Sequence, residues 1–120
     1  MKPDDFKQRS RKFALRVISL VDSLPHTRSS DVLGKQLLRS ATSVAANYRA
    51  ACRARTTAEF IAKLGIVEEE ADESQDWIEM IADAGLVKRA LVEDLVQEAS
   101  ELTAMTVSSI KTARRNKVGK

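Results

Sequence analysis

Apolar residues return along this chain at steps of three, four or seven, the spacing of one face of a helix. Phe6, Phe13, Val17, Leu20 and Leu24 form the first such series, opened by the first-turn residues Pro3, Asp4 and Asp5 and closed by Pro25. A short polar connection follows, with Ser30 expected to cap a second helix, in which Gly34, Leu37, Ala41, Val44, Tyr48 and Ala51 keep a strict 3-4 seam. Thr56 and Glu59 form a capping-box pattern at the start of a third helix, whose seam Phe60, Leu64, Val67, Ala71, Ser74, Ile78 and Ile81 is the clearest heptad signal in the chain. That helix would run about 42 Å at 1.5 Å per residue before Gly85 supplies a left-handed stop. Leu91, Leu95, Ala99, Leu102 and either Met105 or Thr106 mark a fourth helix that fades into a basic tail after Ile110.

The pattern predicts helices over about 4–24, 31–52, 57–84 and 88–112, with a tail over 111–120. Short connections between helices favour antiparallel neighbours, so the expected fold is an all-α, up-down-up-down four-helix bundle in a single domain. Composition agrees: only 4 Gly and 2 Pro among 120 residues leave too little punctuation for a sheet. The seam of the second helix is lined by small residues, with Ser40, Ala45 and Ala46 beside it, which permits close approach of a neighbour.

Charge changes the picture more. Residues 1–55 carry 12 Lys/Arg against 4 Asp/Glu, residues 56–110 carry 3 against 13, and residues 111–120 carry 5 against none. Such blocks imply either neutralisation between helices or subunits, or a dipolar surface offered to a charged partner. No apolar run resembles a leader peptide or a membrane span, and the lone Cys52 has no disulfide partner within the chain, so a cytoplasmic location is expected.

Candidate chemistry is sparse. Glu68, Glu69, Glu70, Asp72, Glu73, Asp76, Glu79 and Asp83 invite comparison with carboxylate-bridged metal bundles, but those need Glu-x-x-His on two helices and the one histidine, His26, falls in a connection. No phosphate loop or nucleophile elbow is present, and Cys52 reads as a small packing residue. A non-enzyme without cofactor or metal is expected. On the second helix, Lys35, Arg39, Arg49 and Arg53 share one stripe, with Thr42 and Ala46 at its centre; Arg9, Lys12 and Arg16 form a basic face on the first, and Lys111, Arg114, Arg115, Lys117 and Lys120 enrich the tail. These residues suit either phosphates of RNA or DNA, or salt bridges to the acidic third helix. Ile66, Trp77, Met80 and Ala84 form an additional apolar face on the third helix, suited to a subunit contact or to a broad core stripe.

The segment Gln36 to Asn47, followed by Ala58-Glu59-Phe60-Ile61-Ala62-Lys63-Leu64 and the acidic run Glu68 to Glu73, resembles the four-helix-bundle proteins also called 23S ribosomal RNA intervening-sequence proteins. The resemblance implies a bacterial bundle that assembles as a homopentamer, related to the accessory variability protein of diversity-generating retroelements, which binds nucleic acid and a reverse transcriptase. The family commonly reads Asn-Ile-Ala-Glu-Gly where this chain has Asn47-Tyr48-Arg49-Ala50-Ala51, so an acidic position is lost and Arg49 is added. Two functions follow as expectations: an oligomer that binds RNA or DNA through its basic surface, or an interaction module whose acidic third helix docks a basic protein.

Overall fold

Each of the two central helices starts where a threonine hydroxyl can take a free backbone amide. The computed structural model describes residues 3–118 and comprises α1 (Pro3–Ser23), α2 (Arg28–Cys52), α3 (Thr57–Asp83) and α4 (Arg89–Val118). Thr27 caps α2, accepting from the Ser30 amide at 3.2 Å, so the helix begins three residues before the expected Asp31 and Ser30 is not its cap. The reason is register. Ser30 sits one turn before Gly34 on the inner face and is buried, which extends the seam backwards into the first turn. Thr56 caps α3 as expected, accepting from the Glu59 amide at 3.0 Å, while the Glu59 carboxylate reaches the Arg55 amide at 3.2 Å. At the far end of α3, Gly85 adopts φ 78°, a left-handed conformation that a side chain would strain.

The core follows the seams. Phe6, Phe13 and Val17 of α1, the whole expected seam of α2, and Leu64 through Ile81 of α3 are buried, with Phe60 half-buried at the edge. On α4 the buried series is Val92, Leu95, Ala99, Leu102, Thr106 and Ile110, whereas Leu91 is 72% exposed. The expectation for Leu91 is corrected by the alternation itself: a step of four from Leu95 to Ala99 calls for a step of three before it, which selects Val92. The helix also continues through Val118, well past the expected end, so most of the basic tail is helical; Lys120 lies outside the described residues. Cys52 is exposed and not a packing residue, because the seam position at the end of α2 is taken by Ala51.

The helices run up, down, up and down. Gly34, early in α2, faces Val21 and Leu24 late in α1, so closely that an added Cβ would lie 3.0 Å from Val21 Cγ1. Late in α2, the Tyr48 hydroxyl donates to the carbonyl of Pro3 at 3.3 Å and its ring lies 4.2 Å from that of Phe6. Burial pushes the Tyr48 phenol above its ordinary range, with neighbouring Cys52 adding to the effect. The result is a rod of 53 × 22 × 19 Å in which α3 packs closely against both α2 and α4, and the contact between α1 and α4 is the slightest between neighbouring helices. No helix among the described residues is long and apolar enough to cross a membrane.

Candidate nucleic-acid interface

The antiparallel course converts charge blocks along the chain into charge separation along the rod. The start of α1, the end of α2, the start of α3 and the end of α4 share one end of the bundle, bringing together Lys7, Arg11, Arg49, Arg53, Arg55, Lys63, Lys111, Arg114 and Arg115. The carboxylates of α3, from Glu68 to Asp83, occupy the middle and the other end.

Pairing across helices then divides the expected basic residues into two groups. Arg39 donates to Glu70 at 2.9 Å and also binds Glu73, which holds its guanidinium pKa above the ordinary value, Glu73 being the larger cause. Glu73 is held below the usual carboxylate range, chiefly by the Trp77 indole N–H donating at 3.0 Å and further by Arg39. Arg9 turns away from α2 toward α4, donating to Glu98 at 3.0 Å and to Glu101 at 2.9 Å, with Met105 Sδ at 3.2 Å. Hydrogen bonding to Glu98 first and Glu101 second raises its pKa, and Arg9 in turn lowers that of Glu101. Both residues therefore tie helices together. Lys35 is exposed near the start of α2, 14 positions or about 21 Å from Arg49. Lys12 is exposed and Arg16 half-buried, and neither lines the basic concavity described next.

Arg49 and Arg53 have a different setting. They face a concavity of about 480 Å3 between the end of α2 and the start of α3, floored by Ala46 and Ala50 and completed by Arg55, Glu59 and Lys63. Four cations surround it against one carboxylate, and Arg49, Arg53, Arg55 and Lys63 make no ion pair among the described residues. The amides at the start of α3 add the positive end of a helix dipole. Arg55 and Lys63 are absent from the stripe read along α2, because they enter from beyond the helix end and from the next helix. The capping box offered a signal: it places Arg55 one residue before the cap Thr56 and Lys63 one turn after Glu59.

Arg49 also borders a second concavity of about 420 Å3 between α1 and α2, lined by Lys7, Arg11, Ala14, Leu15, Ile18, Thr42, Ala45 and Ala46. Here the basic residues of α1 are Lys7 and Arg11, not the face of Arg9, Lys12 and Arg16. On α3, the expected apolar face divides too. Trp77 is half-buried and packs against the core, while Ile66 and Met80 are exposed at 39% and 41% and Ala84 is exposed beyond the last turn. Among the described residues, no three His, Cys, Asp or Glu side chains gather to hold a metal ion.

A protein of unknown function from the S23 ribosomal protein family of Bacteroides thetaiotaomicron has a crystal structure similar to this fold, with a TM-score of 0.86 and 35% sequence identity over 92% of this chain and 99% of that one. No curated protein matches. The family model described as 23S rRNA-intervening sequence protein matches residues 4–108, which reach from α1 into α4 and include the basic concavity, and the chain belongs to that family.

Proposed function

We propose that this protein is a non-catalytic bundle that binds the phosphate backbone of RNA or DNA through its basic end, without base preference. The observation that carries the reading is the convergence of Arg49, Arg53, Arg55 and Lys63 on one concave surface with Glu59 as the one carboxylate in its lining. Cations placed this way displace condensed counterions when phosphates approach, so affinity should fall steeply with salt. Arg9 and Arg39 stand outside this site because their charge is committed to Glu98, Glu101, Glu70 and Glu73.

The test is a salt titration of binding to an RNA duplex and a DNA duplex of several unrelated sequences. Replacing Arg53, Arg55 and Lys63 with Ala, and keeping Arg49 because it also borders the α1–α2 groove, should reduce the steepness of the salt dependence and weaken all sequences alike. Binding that ignores salt, or that survives the triple change with the same slope, excludes this site.

A further inference from the structure

Two concavities of the basic end meet along α2. Arg49 and Ala46 line both the α2–α3 concavity and the α1–α2 groove, so the two are flanks of one helix and a ligand can lie across both. They differ in character. The first is ringed by Arg49, Arg53, Arg55 and Lys63 with Glu59, whereas the second has an apolar wall of Leu15 and Ile18, exposed at 56% and 37%. Antiparallel pairing sets the direction of that change. Tyr48 lies beside Pro3 and Phe6, and Gly34 beside Val21, so Arg49 is level with the start of α1 while Leu15 and Ile18 lie further along the groove. From Lys7 to Ile18 is 11 positions, about 16 Å of helix.

A duplex has no use for the second flank. Its base faces are stacked inside, so it offers a protein mainly phosphates, sugars and groove edges. Its higher charge density also makes it at least the equal of a single strand on a purely cationic surface. Unpaired bases, by contrast, expose faces that gain from leaving water. Leu15 and Ile18, over the small residues Ala45 and Ala46, form such a surface directly beside cations. Lys7, Arg11 and Arg49 border it and make no ion pair among the described residues, and no carboxylate is in its lining there. The hydroxyl of Thr42 donates to the Leu38 carbonyl at 2.7 Å, so its proton is not free to read a base edge.

We infer that the nucleic acid bound at the basic end is single-stranded, with phosphates on Arg53, Arg55 and Lys63 and the bases of the adjoining nucleotides against Leu15 and Ile18. Arg49 serves both flanks. The inference rests on the phosphate-binding reading and narrows its substrate class. Contact with base faces tolerates any sequence because every base has such a face, so the narrowing brings no base preference with it. Aliphatic side chains suit this role, as they do where they wedge against unstacked base steps. The 16 Å of groove spans roughly four nucleotides at about 3.4 Å each. A duplex meets the phosphate sites alone and therefore binds more weakly.

The experiment compares three fluorescent probes of about 12 nucleotides and one unstructured sequence: the single strand, its duplex, and a strand whose phosphates are kept but whose bases are replaced by abasic sites. The single strand should bind about tenfold more tightly than the duplex, and the abasic strand should fall to the level of the duplex or below. Leu15→Ser with Ile18→Ser, both at exposed positions, should remove that advantage and leave duplex affinity unchanged. Arg53→Ala with Arg55→Ala and Lys63→Ala should weaken all three probes. Circular dichroism checks that helix content is kept, and the abasic comparison on the unchanged protein decides the matter if the groove variant does not fold. Equal affinity for intact and abasic strands, or a duplex bound more tightly than its single strand, overturns this inference and leaves the phosphate site standing; failure of every probe to bind removes both. If the groove variant instead loses mass in light scattering and weakens all probes alike, the groove belongs to a second copy and the inference is overturned.

Discussion

The hydroxyls of Ser40 on α2 and Ser74 on α3 meet at 2.9 Å in the fully enclosed seam between these two closely packed helices. Ser40 Oγ also lies 3.2 Å from the Leu37 carbonyl and Ser74 Oγ 2.7 Å from the Glu70 carbonyl, so two protons serve three contacts. Changing Ser74 to Ala leaves Ser40 its own carbonyl and should destabilise the bundle by about 1 kcal/mol. The double change Ser40→Ala with Ser74→Ala should add little to the single one, whereas Ser74→Leu should overpack the seam and destabilise by roughly 1–3 kcal/mol. Urea denaturation of the four proteins measures these differences.

Two glycines of the third helix and its exit should respond in opposite directions. Gly65 lies inside α3 with nothing within 4 Å of an added Cβ, so Gly65→Ala should stabilise by roughly 0.5–1 kcal/mol through helix propensity. Gly85→Ala imposes a side chain at φ 78° and should destabilise by about 1 kcal/mol. Thermal melts of the two variants would move to either side of the parent.

Acid should loosen the bundle through its interhelical carboxylates. Glu73 and Glu101 are held below the ordinary value of 4.5 in the folded state, so they contribute stability that is fully present above that value and disappears as pH falls through their lowered folded values. Both are substantially exposed, which keeps the effect modest. Melting temperature should be level from neutral pH down to about 5 and fall below that. Glu73→Gln with Glu101→Gln should flatten the fall.

Arg39 and Arg53 share a stripe of α2 yet should behave differently as alanine variants. Arg53→Ala should lower the slope of log affinity against log salt by about 1, as expected for one lost phosphate contact. Arg39→Ala should leave that slope unchanged and instead weaken the α2–α3 contact, read as a lower urea midpoint. Equal slopes in the two variants would contradict the assignment of the stripe.

Much of the fold was legible because the seams of α2 and α3 obey one alternation without a competing register. Leu91 and Val92 show the limit: two adjacent apolar residues fit the series, and the step pattern had to choose between them. Ser30 and Thr27 show the same for caps, since either hydroxyl could start α2 until burial settled which one faced inward. The candidate site was half legible. Arg49 and Arg53 share a helix face, whereas Arg55 and Lys63 join them only once α3 turns back. The loss of Arg39 to Glu70 and Glu73 depends on the register between two helices, which no spacing within either one reveals.

The rod is 53 Å long, and the Debye length at physiological ionic strength is about 8 Å. A charged molecule approaching one end is therefore screened from the other, and the small net charge of +3 is not what it encounters. Polyanions and polycations would each find an attractive pole on the same molecule at the same time. In dilute salt that screening relaxes, the poles act as one large permanent dipole, and copies should align head to tail before they touch.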